Sequence, residues 1–384
     1  MNSQRVLDTM LILLVGFLAF GLLFVFDVEV PAHLDFGQLH QSVVSLANGE
    51  RLYQLAEVEI ARLSTQATLD AALPFPGPPW YVAIAYPLHL LSAQTAAKVW
   101  LALSLTILYG AIQLTAPQLS PRSRALAFIL AIISAPVQGH LIVGQFTLPA
   151  LLGVALTLSG IRQGSSSAST LGLALSTCRP HLGLPFAAAT VAGLLITDTK
   201  YGVKVATRLL LVMALLVAIS LAVDPHSISR YPEYLRLLNS FPSNQICDTC
   251  SSVPILAERL CTLSHDVWEV RFLLSAAVGL PLVGLLYLTR PSPDYLIAGA
   301  VCAVMLSAPY IRNYDFVLLL VPFCVVATHM LKGVTTCGAL GVTTLLVAYA
   351  IAALLPYGVS RDLQGQLLLA APALMYLLCV RRLH

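Results

Sequence analysis

The sequence predicts an all-α protein, a polytopic membrane helical bundle of about twelve spans folded as one integral membrane domain over residues 1–384. Two observations carry this. Of the 384 residues, 58% are hydrophobic and only 10% are charged, whereas a soluble domain carries about 25% charged residues. The apolar residues also gather into runs of roughly spanning length, divided by short polar turns. A net charge of +3 with scattered basic residues suits no nucleic-acid partner. The lipid bilayer is the partner this composition requires.

The first run, 9–26 (TMLILLVGFLAFGLLFVF), has no small-residue cleavage site after it and reads as an uncleaved anchor. A mixed segment follows, 27–78, holding Asp27, Glu29, Asp35, Glu50, Glu57, Glu59 and Asp70. The stretch 80–92 (WYVAIAYPLHLLS) is short and flanked by proline, so it reads as a re-entrant or interfacial juxtamembrane helix. Further apolar runs lie near 97–116, 125–141, 147–161, 169–178, 183–197, 208–223, 268–289, 295–309, 314–330, 334–354 and 364–380.

Basic residues set the orientation. With the amino terminus inside, the cytoplasmic pieces hold Arg5, Arg122, Arg124, Arg162, Lys200, Lys204, Arg208, Arg290, Lys332, Arg381 and Arg382. The same pieces hold only Asp8, Asp198 and Asp294 among the acids. Both termini are thus expected in the cytoplasm of a multi-pass cell-membrane protein. Two outer segments result, a first loop 27–96 and a second loop 224–267.

Polar residues in so apolar a chain are costly and mark candidate sites. They concentrate at the expected outer ends of spans. LDFGQLHQSVVSLANGERLYQ supplies Asp35, Gly49 and Tyr53; GHLIVGQFTLPALL supplies His140, Gly144 and Gln145. STCRPHLGLPF interrupts an apolar run with Arg179, Pro180 and His181, and SAPYIRNYDFVLLL brings Arg312, Tyr314 and Asp315. Plainer readings stand beside each. Asp35 is also what a solvated loop acid looks like, and Pro180 alone explains a kink. Asp315 is placed to cap a helix, and Gln145 to bond a neighbouring helix.

In this order the blocks resemble glycosyltransferase family 87, membrane transferases of the GT-C class that use polyprenyl-phosphate sugars. DFGQLHQSVVSLANGERLY is similar to the family's acid-aromatic segment ending in Gly-x-x-x-Tyr, and FPGPPWYVAIAYPLHLLSAQTAAKVW to its Tyr-Pro-Pro block. GQFTLPALL resembles the Gly-Gln-Asn block, CRPHLGLPF the Tyr-Lys-Pro-Gln-Leu-Gly block, and SAPYIRNYDFVLL the Ser-Pro-Tyr…Tyr-Asp-Leu turn. The departures are Arg179 for lysine, Phe146 for asparagine, and a first tyrosine of Tyr-Pro-Pro that is either Gly77 or missing.

The resemblance implies a GT-C bundle that moves a sugar, a hexose such as mannose, from a polyprenyl-phosphate donor to a hydroxyl of a glycolipid or glycan acceptor on the extracytoplasmic face. It assigns Asp35 as catalytic base. Arg179, His181 and Arg312 are expected at the donor phosphate, and Gln145, Tyr314 and Asp315 at the substrate. No His, Cys and Asp spacing reads as a metal site, although the acidic pair Asp27 and Glu29 leaves a divalent cation open. In an oxidising compartment, Cys261 is expected to pair with Cys247 or Cys250 and leave one thiol over. The competing readings are a transporter or flippase for a lipid-linked or anionic solute, and a catalytically inactive family scaffold.

Overall fold

The computed structural model describes residues 35–54, 75–240, 252–260, 268–289, 292–332 and 372–377. Among these residues all regular structure is helical. In chain order the helices are α1 (Asp35–Ala47), α2 (Pro79–Ala85), α3 (Ala93–Thr115), α4 (Pro121–Ile133), α5 (Ala135–Val143), α6 (Thr147–Arg162) and α7 (Ser166–Ser176). They continue with α8 (Pro180–Thr197), α9 (Thr199–Val223), α10 (Ser227–Ser240), α11 (Val253–Leu260), α12 (Trp268–Leu288), α13 (Pro293–Ser307) and α14 (Leu320–Lys332). Two 3-10 turns, Tyr86–Leu90 after α2 and Asn313–Leu319 before α14, complete the set. The runs 9–26 and 334–354, most of 364–380, and the residues Asp27, Glu29, Cys247, Cys250 and Cys261 lie outside the described residues.

By length and composition α3, α8, α9 and α12 can each cross a membrane, and α4 with α5, bent by 65° between them, makes either one broken span or a re-entrant loop. About twelve crossings are therefore not reached among the described residues. The expected runs 9–26, 334–354 and most of 364–380 lie outside the described residues, and among the others helix length is the reason. The apolar α6 has 16 residues, about 24 Å at 1.5 Å per residue, against a hydrocarbon core of about 30 Å. The run 125–141 is broken where Ser134 is extended and Pro136 follows two residues on, since a proline has no N–H to continue the helix and clashes with the carbonyl four residues back. Outward faces are apolar where spans meet lipid. Leu210, Leu211 and Leu215 on α9, and Leu273 and Leu280 on α12, all stand exposed.

The described residues divide into two units, one of 35–54, 75–106, 141–145 and 210–240, the other holding the rest. In the first unit α1 buries Phe36, Leu39, Val43 and Leu46 along one stripe. It ends in a Schellman turn at Gly49 (φ 82°), where the Glu50 N–H reaches the Ser45 carbonyl at 2.9 Å. The next residues tie both loop segments together. Leu52 N–H donates to Asp224 (2.9 Å), Tyr53 Oη to the Gly77 carbonyl (2.8 Å), and Tyr231 Oη to the Pro76 carbonyl (3.2 Å). Tyr53 packs between Tyr231 and Tyr234, each 5.3 Å away. Burial first, then its tyrosine neighbours and Asp224, push its phenol well above the ordinary value, so it stays a neutral donor.

The second unit is built around α13, whose residues Tyr295 to Ser307 are all buried. An all-apolar helix is tolerated there because protein surrounds every side of it. Against it lies the hairpin of α6 and α7, which meet backbone to backbone. A methyl on Gly172 would stand 2.5 Å from the Gly153 oxygen and the Thr157 nitrogen, and one on Gly160 would stand 2.5 Å from the Ser169 nitrogen. Small residues permit this approach in an apolar bundle. At the far end of α6, Arg162 makes a two-pronged pair with Asp294 (2.7 and 3.0 Å) and donates to the Thr115 carbonyl (2.7 Å). His329 completes that clamp at 2.8 Å from Asp294.

The seam gives a direct expectation. Gly172→Leu forces α6 and α7 apart and should cost at least about 1–3 kcal/mol, seen as a lower unfolding temperature in detergent, while Leu171→Ala on the exposed side of α7 should be near neutral.

Candidate functional site

The break between α7 and α8 is written into the chain. Pro180 supplies no N–H and sits at the first position of α8, where none is needed. It also holds Arg179 out of the helical region (φ −112°, ψ 84°). Gly183 lets the first turn of α8 press on the end of α7, since a methyl there would overlap the Ser176 carbonyl. Arg179 is thereby presented at the positive end of an 18-residue helix.

Its counter-charge comes from the other side of the unit. Asp315, in the 3-10 turn before α14, is wholly buried. Its Oδ1 accepts from Arg179 Nη2 at 2.7 Å and from Thr147 Oγ1 at 3.1 Å. Its Oδ2 accepts the Arg312 backbone N–H at 3.0 Å, while the Asp315 N–H returns to the Arg312 carbonyl at 2.9 Å. Asp315 therefore closes its own turn, as the cap reading expected, and also pairs with Arg179. Thr147 opens α6, so the carboxylate also lies at a helix N-terminus, which favours negative charge.

Aromatic rings line the pair. The Arg179 guanidinium carbon stands 5.2 Å from the centre of the Tyr314 ring, a cation–π contact. His181, the second residue of α8, stacks on Tyr310 at 4.3 Å and has Nε2 3.8 Å from Asp315 Oδ2. Arg312 keeps an exposed side chain beside this turn. The structure thus brings Arg179, His181, Arg312, Tyr314 and Asp315 into one cluster. Its chemistry is that of an anion grip: guanidinium, imidazole and helix N-terminus, with the guanidinium held by a carboxylate that is itself spent.

Asp35 and Gln145 belong to the first unit. Asp35 opens α1. Gly144 (φ 73°) packs onto Phe36, the next residue, so closely that a methyl there would run into its Cβ. Trp100 stacks on Phe36 with ring centres 5.9 Å apart. Gln145, buried to 3% exposure, follows directly. No group of three His, Cys, Asp or Glu side chains is placed to hold a metal among the described residues. Sequence reasoning passed over Thr147 and Tyr310. Thr147 carries no signal of its own, while Tyr310 was visible as an aromatic beside Arg312.

A sequence profile of glycosyltransferase family 87 matches residues 75–311, more than half the chain. A search of curated proteins finds no match. Among solved structures, ArnT from Cupriavidus metallidurans in the apo state aligns over 100% of this chain and 76% of its own, at 16% identity and a TM-score of 0.44. That likeness is too distant to carry an argument.

Removing one partner of a buried pair leaves the other charge uncompensated. Asp315→Asn should destabilise the protein by about 3–5 kcal/mol in thermal unfolding, and a loss under about 1 kcal/mol, the scale of a surface pair, would mean the charge is solvated.

Proposed function

The chain belongs to glycosyltransferase family 87 and is a multi-pass membrane glycosyltransferase, and on that premise we propose that it transfers a hexose such as mannose from a polyprenyl-phosphate donor to a glycolipid or glycan acceptor. The reaction takes place on the extracytoplasmic face, with both termini in the cytoplasm. The observation that carries this reading is Arg179, held at the N-terminus of α8 by a wholly buried Asp315. A cation kept in an apolar bundle needs a reason beyond stability, and a lipid-borne phosphate supplies one.

In this reaction the acceptor oxygen attacks the anomeric carbon as the bond from that carbon to the phosphate oxygen breaks. Direct displacement inverts the anomeric centre. The acceptor proton passes to Asp35, and the electron pair leaves with polyprenyl phosphate. Arg179, with His181 and Arg312 beside it, meets the charge that develops on the leaving phosphate. Tyr314 and Gln145 offer groups for the substrate. Asp315 works through Arg179, since its oxygens are engaged within the protein. A transporter would place such groups at mid-membrane. Here Thr147, Arg179 and Asp315 all stand at helix starts, an arrangement that serves anion binding in a transferase or a transporter alike.

Membranes containing the protein should move label from a polyprenyl-phosphate sugar to lipid or glycan acceptors. Asp35→Asn should lower turnover roughly 10²–10⁴-fold with donor binding kept. Arg179→Gln should weaken donor-lipid binding about ten- to a hundredfold, and Arg179→Lys should recover much of it. Unchanged binding by the glutamine variant removes Arg179 from the site; label carried across the membrane without transfer supports the transporter.

A further inference from the structure

Helix α9 opens with Lys200, Lys204 and Arg208. Their spacing of four residues sets the three charges along one helix face, over about 12 Å. Lys200 and Lys204 are exposed and Arg208 is half-buried. Among the described residues none of the three pairs with a carboxylate. The neighbouring acid, Asp198, is engaged elsewhere: its Oδ1 accepts the Tyr201 N–H at 3.1 Å and caps the start of α9. Arg208 is held instead by hydroxyls. Its Nη1 donates to Ser166 Oγ at 2.6 Å and to Ser167 Oγ at 2.8 Å. Tyr201 fixes this arrangement, since its Oη donates to the Gly160 carbonyl at 3.3 Å and lies 2.8 Å from Ser169 Oγ. The start of α9 is thereby tied to the hairpin of α6 and α7.

Ammonium and guanidinium groups only donate, and a serine hydroxyl that accepts one bond keeps its own proton to give. The face is therefore built for an anion. The rest of the helix says which one. By the helix period, positions 211 and 215 continue the face of 200, 204 and 208, and Leu211 and Leu215 both stand exposed. Charge followed by apolar surface along one spanning helix matches a phospholipid, headgroup first and acyl chain after. The 18 residues of α8, about 27 Å of helix, separate Arg179 at its start from α9, which follows its end. We propose that Lys200, Lys204 and Arg208, with Ser166 and Ser167, bind the headgroup of an anionic phospholipid in the leaflet opposite the Arg179 site. Basic residues that only orient a chain during insertion act wherever they fall in the loop. A lipid site needs this row, and each charge in it should be worth about fivefold in affinity for anionic lipid.

The test titrates the purified full chain, in a neutral detergent, with phosphatidylglycerol or phosphatidylcholine and counts bound lipid by native mass spectrometry. Wild type should prefer phosphatidylglycerol. Lys204→Gln should weaken that binding about fivefold, and Lys200→Gln, Lys204→Gln and Arg208→Gln together should reduce it to the level of phosphatidylcholine. Arg122→Gln removes the same charge from an exposed position at the start of α4 and should leave binding unchanged, as should Arg179→Gln. Inorganic phosphate added at the lipid's concentration should not displace it. The proposal is overturned if wild type binds the two lipids alike, or if Arg122→Gln loses as much as Lys204→Gln. It is also overturned if Arg179→Gln abolishes the preference while the triple variant keeps it, or if phosphate displaces the lipid, which would make the face a site for free anions. Should the triple variant not fold, Lys204→Gln, at an exposed side chain, decides alone.

Discussion

The ion pair of Arg179 and Asp315 sets the terms for its half of the molecule. In a chain with 10% charged residues, a guanidinium at the break of an apolar run is sustainable only with a partner. Supplying that partner constrains three elements together. Helix α8 must start at Pro180, the 3-10 turn must close on Arg312, and α6 must begin at Thr147, because each gives a bond to the same pair. Burial of the carboxylate makes those bonds strong and makes their loss expensive.

A second ionic clamp faces the first along α6. Thr147 opens that helix and Arg162 closes it, so the Asp315 and Asp294 clusters are separated by about 22 Å of helix. Between them α6 is buried and apolar or small, joined to α7 by a glycine seam. Charge at both ends with none between leaves the middle of α6 apolar, over a length shorter than a hydrocarbon core of about 30 Å. It gives the two ends different characters. At one, Arg162, Asp294 and His329 satisfy one another. At the other, the Asn313 side-chain oxygen is met by no described residue.

Much of the fold was legible because hydrophobic runs are a direct imprint of burial. Runs 147–161 and 295–309 became α6 and α13 within two residues. The bend inside 125–141 was missed because the run was read as one span, although Ser134 and Pro136 mark the break. In the site, Arg179 was legible as a charge at a break. Its bond to Asp315 joins residues 136 apart, and that of Thr147 joins residues 168 apart, so no local pattern announces either. Two departures from the family blocks gain a physical sense. Phe146 stands at the N-cap of α6, where an asparagine would cap, and is instead 1% exposed in the core. Gly77 lies under the Phe75 ring, which leaves no room for a side chain.

The central claim is that Arg179 and Asp315 act as one unit that grips a donor phosphate, and a double-mutant cycle tests it most directly. Arg179→Leu, Asp315→Leu and the pair of substitutions would be compared in thermal unfolding and in binding of polyprenyl phosphate. Each single variant strands a buried partner and should unfold at lower temperature. The double variant should regain much of that stability and still fail to bind the lipid. Stability losses that simply add, or a double variant that binds polyprenyl phosphate as wild type does, would contradict the account.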